Sequence, residues 1–197
     1  MPFPIGPYNG GFSARISRIS PNGERHTVVD GLPSGESNPA AGSVMQGVAD
    51  VAFIGDNLYG LEAGAGCSHG LAGTANTLFR VNHDGTITTI ADLSAYVHAH
   101  PVANPDADDF EPDGTWYGMV VARGAFYATE PNHQEIDRIT PDGQINRVVD
   151  LSTQFVPPAG WEGPTSIVAH HDAFYLGTLG TFPVRPGTQN LYILYVS

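Results

Sequence analysis

Short apolar runs alternate with clusters of turn residues along the whole chain. No stretch carries an apolar stripe at helical spacing between caps, so the pattern predicts strands and almost no helix. Apolar runs lie at Ile16–Ile19, Leu78–Val81 and Ile136–Ile139, and resume at Val28–Val29, Ile87–Ile90 and Val148–Val149. Between them stand Pro-Asn-Gly, His-Asp-Gly and Pro-Asp-Gly, residue types that supply the positive φ of tight hairpin turns. Each run–turn–run unit therefore reads as a β-hairpin.

These hairpins repeat one phrase: "RISPNGERHTVVD" at 18–30, "RVNHDGTITTIAD" at 80–92 and "RITPDGQINRVVD" at 138–150. Arg18, Arg80 and Arg138 precede the turn glycines Gly23, Gly85 and Gly143 at one spacing, and Asp30, Asp92 and Asp150 follow at another. A residue type needed in every unit is read as structural, so these arginines and aspartates are assigned to inter-strand or inter-blade pairing. A second repeated piece fills the gaps, "DVAFIGDNLYGLEAG", "GMVVARGAFYATEPN" and "SIVAHHDAFYLGTLG", with Tyr59, Tyr127 and Tyr175 in register. It too reads as a hairpin, turning at Gly55–Asn57, Arg123-Gly124 and His171-Asp172. Internal repetition points to solenoids, propellers or arrays, and four antiparallel strands per repeat mark a propeller blade. The expected fold is all-β: a β-propeller of four-stranded antiparallel blades with about three blades present, a partial or half propeller. As one domain over 1–197 it comprises the outer hairpin of an incomplete blade at 14–33, blades at 48–93 and 116–151, and an incomplete blade at 164–197.

Composition narrows the chemistry. The 197 residues carry a net charge of −12, and every one of the eight basic residues is Arg. Without Lys there is no Schiff-base lysine and no P-loop, and the acidic balance argues against nucleic acid as a partner. One cysteine, Cys67, permits no internal disulfide. No apolar run reaches the length of a membrane span, and the start "MPFPIGPYNGGF" lacks the basic and apolar regions of a signal peptide.

Connections between hairpins are long, at 31–47, 63–76, 94–115, 152–163 and 180–190, whereas turns within hairpins are short. Strands that run up and down place all the long loops on one face, where function is expected. The residues opening onto it are Asp50, Tyr117, Thr165 and Ser166 from the inner strands, and Glu62, Glu130, Asn132 and His133 from the next. They form a candidate ligand-binding set. Under a second reading, Glu62, Glu130 and Asn132 ligate a divalent cation, Ca2+ or Mg2+, with His133 as general base. Other features are weaker. "NPDADDFEPDG" is acidic, but Phe110 stands where an EF-hand needs its third ligand. Cys67 and His69 lack a second pair of soft ligands. His98 and His100 share one side of any extended segment and are a minor metal candidate.

The segments "RISPNGERHTVVDGLP", "GVADVAFIGDNLYGLEAG", "ATEPNHQEIDRITPDG" and "GPTSIVAHHDAFYLGTLGTFPVRPG" together resemble the ScyD/ScyE family of scytonemin-cluster-type, NHL-like β-propellers. The most specific element is Gly177–Gly187. The resemblance implies an extracellular or cell-envelope propeller and supplies no catalytic residues. Family members carry a signal peptide, an earlier pair of strands and a further blade, so the chain reads as truncated at both ends, either a fragment or a natural half-propeller. The leading functional reading is a non-enzymatic propeller, with no cofactor, that binds a small molecule, glycan or protein on its long-loop face. The alternative is a metal-dependent lactonase- or lyase-like enzyme with a cation at the channel mouth. A homodimer that closes the propeller is the expected remedy for bare blade edges.

Overall fold

The computed structural model describes residues 8–37, 44–107, 110–154, 161–182 and 187–195. Four antiparallel sheets form it. The first joins β1 (Tyr8–Ile19), β2 (Arg25–Ser37) and β3 (Val44–Gln46) in that order. The second runs β4 (Val48–Ile54), β5 (Asn57–Glu62), β6 (Thr77–Val81), β7 (Ile87–Asp92), and the third β8 (Gly118–Ala122), β9 (Ala125–Glu130), β10 (Glu135–Ile139), β11 (Ile145–Asp150). The last has three strands, β12 (Trp161–His170), β13 (Ala173–Phe182) and β14 (Leu191–Tyr195).

Strands β4 and β12 both pack beside β8, so the inner strands of three successive sheets adjoin one another. The Asp50 carboxylate on β4 ties two of them by accepting the Met119 N–H of β8 at 2.9 Å. Thr165 O on β12 lies against Gly118 on the other side of β8. Sheets stack face to face through apolar cores. Tyr59, Leu61, Leu78, Trp116, Phe126 and Ile139 fill the space between the second and third sheets. Tyr127, Ile136, Ile167, Phe174 and Leu176 fill that between the third and fourth. Ile16, Val29 and Leu32 bury Phe79 between the first and second. Gly60 makes this possible, because a Cβ there would collide with the Phe79 ring lying across it.

The repeated turns show the same stacking logic. Gly85 sits against Val28 O of β2, and Gly143 sits against Ile90 O of β7, so each turn abuts the last strand of the hairpin one sheet earlier. At Gly143, with φ 91°, a side chain would meet both an unfavourable backbone conformation and that carbonyl.

Three expectations change. The connection at 94–115 begins with a helix, α1 (Leu93–Ala99), too short to leave a periodic signal. Strand β2 runs on to Ser37 and pairs with β3, so much of the 31–47 connection is sheet. Asp92 and Asp150 do not pair with the repeated arginines. Asp92 caps α1 by accepting the Ala95 N–H at 2.8 Å. Asp150 caps the 3-10 turn Leu151–Thr153, accepting the Ser152 N–H at 3.0 Å and the Ala103 N–H at 2.8 Å. Among the described residues no ion pair joins Arg18, Arg80 or Arg138 to these aspartates.

Candidate functional site

The long connections of the middle sheets are stitched together by buried polar side chains. Asn76 accepts the Ala65 N–H at 2.8 Å and donates to Asp113 O at 3.2 Å and Gly114 O at 2.7 Å. Ser94 donates to the same Asp113 carbonyl at 2.8 Å, while the Asp113 carboxylate accepts the Ser68 N–H at 2.7 Å and its hydroxyl at 2.8 Å. The loops at 63–76 and 110–117 are thereby one structural body.

At its centre lies Glu111. Its carboxylate accepts hydrogen bonds from the Tyr8 and Thr115 hydroxyls and faces His69 Nε2 at 3.0 Å. His69 Nδ1 lies 2.6 Å from Ala65 O, an atom that can only accept. With a carbonyl on one nitrogen and a carboxylate on the other, the ring is an imidazolium. Burial works against that charge, but the Glu111 hydrogen bond and negative charge outweigh it and raise the His69 pKa. The Glu111 pKa is lowered: burial opposes ionisation, and the His69, Thr115 and Tyr8 contacts overcome it. Burial beside this carboxylate pushes the Tyr8 phenol upward.

His133 shows the opposite state. Its Nε2 donates to Glu111 O at 2.8 Å, and Nδ1 is buried with no acceptor for a second proton. Stacking on Phe110 at a centroid distance of 4.7 Å adds to a burial that lowers its pKa. Glu130 is fully buried, and its carboxyl accepts the Thr115 N–H at 2.5 Å and the His133 N–H. Burial pushes its pKa far up despite those donors, with Glu135 and Glu111 adding repulsion. Glu62 behaves alike: one oxygen accepts the Ala63 and Gly64 N–H groups at 3.1 and 3.0 Å, the other has no partner, and burial raises its pKa to about 7.

The residues named from the sequence thus fall into two groups. Glu62, Glu130, Asn132 and His133 lie buried beneath the loops. Asp50, Tyr117, Thr165 and Ser166 stand on or beside the inner strands, where Tyr117 walls a cavity of about 170 Å³ with Gln46, Val48, Ala49, Thr115 and Trp116. Thr165 donates to Gly177 O at 3.3 Å, Ser166 is exposed, and Asp50 is held by Met119. Among the described residues no three His, Cys, Asp or Glu side chains converge as a metal-binding group. Cys67 is exposed while His69 turns inward to Glu111. His98 lies 3.5 Å from Asp113, and His100 stacks on Tyr96. Tyr8, His69, Glu111, Thr115 and Asn76 were not singled out as a group by sequence. Tyr8, His69 and Glu111 lie far apart along the chain, and the two signals near them, the acidic run around Glu111 and the Cys67–His69 pair, each touch a single member.

Antiparallel sheets stacked in sequence, with their first strands side by side and their long connections built into one polar body, define an incomplete β-propeller. No family model matches the chain, and no curated protein matches it. Among solved structures it is similar to virginiamycin B lyase from Staphylococcus aureus, in a catalytically inactive form with quinupristin. That alignment has 14% identity and a TM-score of 0.43, covering 96% of this chain and 60% of that one. The selenomethionine-substituted form of the same enzyme gives 14% identity and a TM-score of 0.41, with the same coverage of 96% and 60%. The chain therefore spans 60% of the length of these neighbours. At these values the likeness adds nothing to what the sheets themselves show.

Proposed function

We propose that this propeller is a non-enzymatic binding protein of the ScyD/ScyE type, extracellular or in the cell envelope, that takes a small molecule, glycan or protein on its long-loop face. The observation that supports this reading most is the use made of the acidic residues. Glu62 and Glu130 hold backbone N–H groups inside the protein, and His133 is neutral and closed off by Phe110. What faces outward is the Tyr117-walled cavity with the ends of the inner strands beside it, a recess of about 170 Å³ that would seat one ring or polar group of a larger ligand.

A glycan and metabolite panel screened by thermal shift tests the reading, with Ca2+ and Mg2+ in separate arms. A panel compound should raise the melting temperature, and Tyr117→Ala should abolish the shift without lowering the unliganded melting temperature. A shift from Ca2+ or Mg2+ alone, lost in Glu130→Gln, would instead favour the metal-dependent lactonase- or lyase-like enzyme.

Closure belongs to the same proposal. On β4 the apolar side chains Val51 and Phe53 are 44% and 63% exposed, and on the last sheet Val168, Ile193 and Tyr195 are 60%, 49% and 76% exposed. In the last sheet Val168, Tyr175 and Ile193 form one cross-strand row, so the bare residues make a face and are not scattered. A second copy that brings its own bare faces to these two places, the β4 face beside the first sheet and the outer face of the last sheet, is the proposed cover.

A further inference from the structure

Beneath α1, away from the Glu111 network, two carboxyl groups are fully buried on the same side of β10: Glu135 and Asp137. One cation serves both. Arg147, directly across from Asp137 on β11, donates its Nε–H to Glu135 Oε2. The rest of its guanidinium reaches the loop after α1, donating to His100 O and, at 3.4 Å, to Pro101 O. Its backbone N–H donates to the Tyr96 hydroxyl of α1 at 2.7 Å. That leaves Glu135 Oε1 and both oxygens of Asp137 buried with no protein hydrogen-bond donor well aligned on them. The Trp116 indole N–H lies on the Asp137 side but completes no well-aligned bond.

The two carboxyls lie within hydrogen-bonding reach of each other. Two carboxylates in such contact repel, whereas a carboxylic acid donating to a carboxylate is held by a strong, charge-assisted bond. The other groups around the pair do not change the count. Tyr96 from α1 is neutral, and Glu130 from β9 and Asp150 from β11 are carboxyls whose charge could only add repulsion. One guanidinium balances one negative charge. A proton between them accounts for two of the three orphaned oxygens, Glu135 Oε1 and one of Asp137, and leaves the second Asp137 oxygen to the Trp116 side.

We propose that Glu135 and Asp137 share one proton, forming with Arg147 a buried clasp that holds α1 and the His100–Asn104 segment against the third sheet, and that loss of this proton loosens the clasp. Burial and mutual repulsion raise both carboxyls above their ordinary range, which agrees with the geometry. The sign follows. The unfolded chain ionises at ordinary carboxyl values while the folded pair keeps its proton, so stability falls as pH rises from that range toward the raised value.

Carbon-13 labelling of the side-chain carboxyls in the wild-type protein tests the proton count without any substitution. At neutral pH one of the two should read as protonated, or the two as sharing one proton, and both reading as fully ionised overturns the proposal. Asp137→Asn supplies a permanent N–H donor to Glu135 in nearly the same shape. It should fold, melt above wild type at alkaline pH, and flatten the neutral-to-alkaline slope. Amide exchange over Leu93–Asn104, corrected for its intrinsic pH dependence, should accelerate with pH in wild type and not in the variant. A variant that keeps the wild-type slope and exchange pattern contradicts the clasp.

Discussion

The middle two sheets and the two ends of this arc are built from the same hairpins, yet they differ in what covers them. Between the second and third sheets, Phe126, Leu61, Leu78 and Trp116 are essentially inaccessible, and loops with buried partners roof the polar ends above them. At the last sheet, and on β4 where a gap opens toward the first sheet, strands of equal quality leave Val168, Tyr195 and Phe53 in water. Strand pairing completes a sheet, but a blade hides its apolar faces only when neighbours flank both sides. The polar roof follows the same rule, since the Glu111 cluster joins loops of adjacent sheets.

Substitution in the covered region should have the largest effect. Phe126→Ala removes a fully buried ring that packs against Tyr59 at a centroid distance of 4.8 Å, and should cost about 3–5 kcal/mol in denaturant melts. A loss below about 1 kcal/mol would erase the contrast with the ends.

Breaking the roof comes next. Glu111→Ala strands the His69 imidazolium and should cost about 3 kcal/mol where the pair is charged. The sign of its pH dependence is set on both sides. His69, raised from 6.5, contributes fully below that value and loses its contribution as pH climbs through the folded pKa. Glu111, lowered from 4.5, contributes fully above that value and loses its contribution as pH falls through the folded pKa. The gap in melting temperature between wild type and Glu111→Gln should be widest between those two values and narrow on either side.

Smaller effects separate caps from repeats. Asp92→Ala should cost about 1 kcal/mol through the lost α1 cap, with Asp150→Ala similar or somewhat larger because it also frees Ala103. Arg80→Ala, which loses no ion pair, should shift stability by less than about 0.5 kcal/mol. Equal losses at Asp92 and Arg80 would restore the pairing first read from their shared repetition.

Local chemistry explains what sequence could reveal. The turns at Gly23, Gly85 and Gly143 were legible because their positive φ demands a residue type that the repeat advertises, and Tyr59, Tyr127 and Tyr175 marked equivalent strands. Repetition also misled. Asp92 and Asp150 recur because each begins a short helical turn, and a turn of so few residues leaves no apolar period to see. The roof was illegible for a different reason. Tyr8 and His69 meet Glu111 across long separations, and nothing in one sequence says that an acidic loop residue will fold inward onto a histidine. Glu62 and Glu130 were found as equivalent positions, but their burial depends on loops whose paths the repeats do not encode.

The contrast between covered middle and bare ends is tested most directly by sedimentation velocity at micromolar concentration. Closure by a second copy predicts a dimer whose dissociation is promoted by Val168→Asp or Phe53→Asp, with the covered core intact. A well-folded monomer over the whole concentration range, with melting unchanged by either substitution, would contradict the account.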